Sequence, residues 1–168
     1  MRAILLLVAM LTAGCTADQV PEENGAAEGS GQVADRLGNR PERLVRLTGL
    51  YEGPGPEARN QLCIVEGREA EFGIVVWGAA GHACSGAGTV RRNGDRLRFA
   101  MAGDSACTID AGIDGRSIVF PDDVPSTCAY YCGARASFAG TRLTQRGASV
   151  EDARKAKDPV GEPLCEAE

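Results

Sequence analysis

The chain has 168 residues, a formal net charge of −5, 43% hydrophobic residues and only 5% aromatic ones. That length supports one modest core, and the acidic balance argues against a nucleic-acid partner. Seven cysteines against a single histidine make cysteine chemistry the first feature to explain.

Residues 1–14 read as an export signal, with Arg2 as a small charged start and residues 4–11 as an apolar run too short to span a bilayer. The signal ends in Leu11-Thr12-Ala13-Gly14-Cys15. Small residues just before a cysteine resemble the cleavage site of bacterial lipoproteins, so Cys15 is the expected lipid carrier; a plain secretory signal with an incidental cysteine is the alternative. Several acyl chains, at about 0.8 kcal/mol per buried methylene, anchor far more firmly than one. Loss of Arg2 with the signal leaves a net charge of −6. Residues 15–43 are rich in Ala, Gly, Glu and Asp and lack an apolar period, which predicts a flexible tether with a root-mean-square span on the order of 30 Å.

The folded domain is expected over 44–168. Residues 47–53 form a first strand stopped by Gly53-Pro54-Gly55-Pro56, and 62–65 a second. A third, at 71–77, is apolar on both faces and is therefore expected to be central. Asn93-Gly94 joins strands at 89–92 and 96–101, and Asp114-Gly115 joins strands at 107–113 and 116–120, both dipeptides being favoured in tight hairpin turns. A last strand is read at 134–143, with Ala134, Ala136 and Phe138 on one face. Ser149 followed by Asp152 reads as the cap of a helix over 150–157, stopped by Pro159. The sum is an all-β domain of about eight short strands, an antiparallel meander barrel or a two-sheet sandwich, with a short C-terminal helix.

With Cys15 assigned to lipid, Cys63, Cys84, Cys107, Cys128, Cys132 and Cys165 remain, an even number that reads as three disulfides in an oxidising compartment. A metal site is the competing account, but no Cys-x-x-Cys is present and His82 is the sole histidine; no metal and no cofactor is expected. Counting outward from the Asn93-Gly94 turn brings Cys84 near the loop before Cys107, which predicts a Cys84–Cys107 bond. Cys128 and Cys132, only four apart, are not expected to pair with each other, and Cys63 is expected to bond across the domain.

Few residues suggest chemistry. Gly103-Asp104-Ser105 matches the surroundings of a nucleophilic serine in some hydrolases, and His82 is the one histidine that could take its proton; an ordinary turn is the plainer reading, and no catalytic residue is assigned. Arg96 and Arg98, with Arg91 and Arg92, crowd one hairpin that could receive an acidic partner or simply form a solvated face. Tyr130 and Tyr131 sit in a short loop between two cysteines, suited to protein recognition, although adjacent side chains often split with one packed inward.

Several stretches together, Gly49-Leu50-Tyr51-Glu52-Gly53, Phe72-Gly73-Ile74-Val75-Val76-Trp77-Gly78, Cys84-Ser85-Gly86, Met101-Ala102-Gly103-Asp104-Ser105 and Cys128-Ala129-Tyr130-Tyr131-Cys132, resemble a family of uncharacterised lipoproteins of sphingomonad-type alphaproteobacteria. The resemblance implies a lipid-anchored place in the cell envelope, at the periplasm or outer membrane, and carries no activity. Ser85-Gly86-Ala87-Gly88 also resembles a strand motif of membrane-bound inhibitors of c-type lysozyme, which makes Ser85 and Gly86 candidate contacts; the tyrosine and lysine of that pattern are missing here. The expectation is a non-enzymatic envelope lipoprotein that binds a protein or envelope component. A hydrolase inhibitor is the alternative, and a serine hydrolase the remote one.

Overall fold

The computed structural model describes residues 46–166. The expected signal, Cys15 and the tether lie outside them. Glycine turns set the geometry of the wall: Gly94 and Gly115 hold φ of 60° and 58°, the left-handed values that tight hairpins need.

The elements in chain order are β1 (Gly49–Gly53), β2 (Asn60–Glu66), β3 (Ala70–Trp77), β4 (Ala83–Asn93), β5 (Arg96–Met101), β6 (Thr108–Asp114), β7 (Ser117–Val119), a 3-10 segment (Ser126–Tyr131), β8 (Arg142–Gly147) and α1 (Val150–Ala153). Every strand pairs antiparallel with the next, and β8 returns to β1, so the eight strands form a closed barrel and not a sandwich. Closure leaves no strand edge unpaired.

Alternation along the strands sends one set of side chains into the lumen. Leu62, Ile64, Ile74, Leu97, Phe99, Ile109 and Leu143 have no surface open to water, so the lumen is filled by side chains. All four phenylalanines of the chain form one line through it: Phe72 meets Phe99 edge-on at 4.9 Å, Phe99 stacks on Phe120 at 5.2 Å, and Phe120 on Phe138 at 6.4 Å. A composition poor in aromatics thus concentrates them where they bury most area.

The outer face of β2 and β3 is covered as well. A second cluster of Leu50, Cys63, Ala153, Ala156 and Cys165 packs there with Val65 and Leu164, which accounts for the apolar character of β3 on both sides. The tail crosses β3 at Gly73, where any side chain would run into the Leu164 carbonyl.

Three expectations need correction. The last strand begins at Arg142, not at 134; Ala134 is exposed and only Phe138 of the three expected residues is fully buried, because 120–141 form a long connection that drops Phe138 into the lumen. The helix is a single turn, Val150–Ala153. Its cap is as expected, with the Asp152 N–H donating to Ser149 Oγ at 3.0 Å, but the Lys157 N–H donates to Gln61 Oε1 at 2.9 Å, drawing the chain onto the wall.

The third correction is the disulfide pattern: Cys63–Cys165, Cys84–Cys132 and Cys107–Cys128, not Cys84–Cys107. Beyond Ala102, whose N–H still donates to the Ala87 carbonyl of β4 at 2.8 Å, the chain leaves β4 and turns back, and the Met101 N–H donates to the Cys107 carbonyl at 3.1 Å. Cys107 therefore extends β6, and β5 lies between it and β4. Cys128 and Cys132 do not pair with each other, as expected.

Candidate functional site: the stapled end of the barrel

Because neighbouring strands are antiparallel, the connections after β1, β3, β5 and β7 share one end of the barrel. These are residues 54–59, 78–82, 102–107 and 120–141. The tight turns at 67–69, 94–95 and 115–116 share the other end, where the Leu47 and Thr48 N–H groups donate to Glu66 Oε2, each at 3.0 Å. The chain thus comes in at the end opposite its long connections.

Two disulfides fasten the 3-10 segment to the long-connection end. Cys132 bonds Cys84 at the start of β4, and Cys128 bonds Cys107 at the start of β6. Hydrogen bonds add to the hold: Thr127 Oγ1 donates to the Ala106 carbonyl at 2.8 Å, Tyr131 Oη to the Ala102 carbonyl at 2.9 Å, and the Gly133 N–H to the Ala83 carbonyl at 2.9 Å.

The two tyrosines split. The Tyr131 ring lies over Gly86, where an added Cβ would sit 3.2 Å from it and 2.9 Å from Met101 Sδ. Partial burial, with Asp104 nearby, raises the Tyr131 hydroxyl above its ordinary pKa. Tyr130 stands edge-on to Tyr131 at 5.7 Å and is 86% exposed. Gly86 faces inward beneath this cap, whereas its neighbour Ser85 faces the outer side of β4, so the Ser85-Gly86 pair does not form one surface.

Arg96 and Arg98 lie elsewhere, on the outer face of β4 to β6, beside a hollow of about 450 Å³ lined with Arg91, Asn93 and Asp110. Arg98 grips Asp110 with two hydrogen bonds, Nε to Oδ1 at 2.8 Å and Nη2 to Oδ2 at 3.0 Å. That grip, chiefly the hydrogen bonding, holds the Asp110 carboxyl below the usual carboxylate range and raises Arg98. Arg91 reaches Glu69 at 3.3 Å. Both Arg91 and Arg98 are thus committed to ion pairs within the wall.

The serine-hydrolase arrangement is not assembled. Asp104 Oδ1 accepts the Ala106 N–H at 2.9 Å and its carbonyl accepts the Cys107 N–H at 3.1 Å, which makes Gly103-Asp104-Ser105 a turn. The His82 ring packs against Gly133, and among the described residues no hydrogen bond joins it to Ser105. No group of three or more His, Cys, Asp or Glu among the described residues is placed to hold a metal.

Sequence reasoning missed a second feature of this end, a hollow of about 410 Å³ at the rim whose lining includes Glu52, Asn60, Trp77, Thr141, Arg142 and Arg146. Asn60 fixes its edge, donating Nδ2 to the Pro54 carbonyl at 2.7 Å and accepting the Trp77 N–H on Oδ1 at 2.8 Å. A lone tryptophan closing a strand was the available signal.

A closed eight-stranded meander barrel with a disulfide-stapled end is the class that fold and site define. Compared with known proteins, the chain matches no family model, no curated protein and no solved structure.

Proposed function

We propose that this chain is an exported, non-catalytic binding protein of the bacterial cell envelope. It is anchored by lipid on Cys15 and presents its stapled end to a protein or envelope component. The observation that carries this reading is Tyr130, 86% exposed on a segment whose flanking cysteines, Cys128 and Cys132, are both bonded to the barrel. A large aromatic side chain on a backbone that is already immobilised has little conformational entropy left to lose on association.

The test captures partners from envelope extract with the full chain and with Tyr130→Ser. Loss of a specific partner in the variant, with an unchanged melting temperature, is the expected result. Equal capture by both chains removes Tyr130 from the proposal. A lysozyme turbidity assay runs alongside, and inhibition of c-type lysozyme by the purified chain would replace this reading with that of a hydrolase inhibitor.

A further inference from the structure

The rim hollow lies between the β1–β2 turn and the β7–β8 connection, and Tyr130 is not among its lining residues. Its volume of about 410 Å³ lies within the range of small-molecule sites. Thr141 is 92% buried, being 8% exposed, yet its hydroxyl has no hydrogen-bond partner among the described residues. No buried side-chain polar atom of the described residues lacks a partner, so this hydroxyl keeps access to water, and the space Thr141 borders is the hollow.

The other lining groups divide into those already paired and those held open. Arg142 is paired with Asp114 at 2.8 Å and Glu52 with Arg59 at 3.1 Å. Arg146, exposed on β8, has no hydrogen bond or ion pair to any described residue, and the Trp77 indole N–H has no hydrogen-bond partner among them either. Gly53 keeps side-chain bulk out of the space, since a Cβ there would strike the Arg142 carbonyl. The two hydrogen bonds of Asn60 set the rim before any ligand arrives, which lowers the cost of ordering it.

An indole, a spare hydroxyl and one uncommitted guanidinium around a polar hollow match a sugar ring bearing a carboxylate. The indole face takes C–H groups and its N–H donates to a hydroxyl, the Thr141 hydroxyl donates or accepts, and Arg146 pairs with the carboxylate. We infer that this hollow binds an acidic oligosaccharide. The inference rests on the reading of the chain as a binding protein and supplies a ligand class for it.

Trp77 is the single tryptophan, so its fluorescence reports on this place alone. The full chain in mild detergent is titrated with tetragalacturonate, with neutral N-acetylglucosamine tetramer and with polyglutamate. Expected is a saturable change with tetragalacturonate at a Kd below about 1 mM, with the neutral tetramer about fivefold weaker or more and polyglutamate without effect. Thr141→Val should weaken tetragalacturonate binding about threefold to tenfold. Arg146→Gln, an exposed change that should leave the melting temperature unaltered, should abolish the preference for the acidic over the neutral sugar. Absence of saturation up to about 10 mM, an equal response to polyglutamate, or affinities unmoved by both variants overturns the proposal. Such a failure stands apart from failure of the binding-protein reading, which is decided by the capture experiment with Tyr130→Ser.

Discussion

Tyr51 lines the lumen near the end where the chain comes in, donating to the Leu47 carbonyl at 2.8 Å and accepting from Gln145 Nε2 at 3.4 Å. Burial, with the charge of Glu66 second, pushes its hydroxyl up to about 12. The folded chain keeps a proton that the unfolded chain releases near pH 10, so this contribution is fully present below about pH 10 and is lost as pH rises toward 12. Urea denaturation at pH 9.5 and pH 12 should differ by on the order of 2 kcal/mol. Tyr51→Phe should flatten that alkaline limb while costing about 1 kcal/mol at neutral pH; an equally steep limb in the variant would show that other groups produce it. Gly86 offers a second test at this scale. Gly86→Val should lift the Tyr131 ring from β4 and cost about 1–3 kcal/mol, read as a fall in melting temperature. A variant as stable as the parent would mean that Tyr131 does not need its seat.

Among the elements, the disulfides divide by the chain they enclose. Cys63 and Cys165 are 102 residues apart, Cys107 and Cys128 only 21, so loop-closure entropy assigns about 4–5 kcal/mol to the first and about 3 kcal/mol to the second. Replacing each pair with alanine and measuring denaturation should give the larger loss for Cys63 and Cys165. The reverse order would mean that the native contacts of the 3-10 segment outweigh chain entropy. Both hairpins, the capping serine and the double-faced β3 were legible in the sequence because each is encoded by neighbours in the chain. The Cys84 partner was not legible, since β4 runs through Ala83–Asn93 while the chain after β5 parts from it beyond Ala102, a departure that only the tertiary path reveals. Residues 134–143 misled for a related reason. Alternating apolar residues look like a strand whether they enter a ladder or, as with Phe138, close a barrel.

For the whole molecule, the number of strands and the presence of disulfides could be read from the chain, whereas the choice of barrel over sandwich depended on β1 meeting β8, a pairing no local signal announces. The candidate site was legible only in part: Tyr130 and Tyr131 were singled out, but the rim hollow joins residues from β1, β2, β3 and β8 and has no contiguous motif. If Cys15 is the anchor, Cys15→Ser should leave the melting temperature of the domain unchanged and move the chain from the membrane to the soluble fraction; a membrane fraction equal to the parent's would sink the anchor. The β1–β8 seam carries one more consequence. Both the ladder that shuts the barrel and the bond from Cys63 to Cys165 join early chain to late chain. A chain emerging from its N-terminus therefore cannot complete its architecture until nearly all of it has emerged, and one cut short before Arg142 keeps two strand edges open to aggregation. In pulse-labelled refolding, amides of β1 should gain protection after those of the β4–β5 hairpin, which makes the seam the last act of folding.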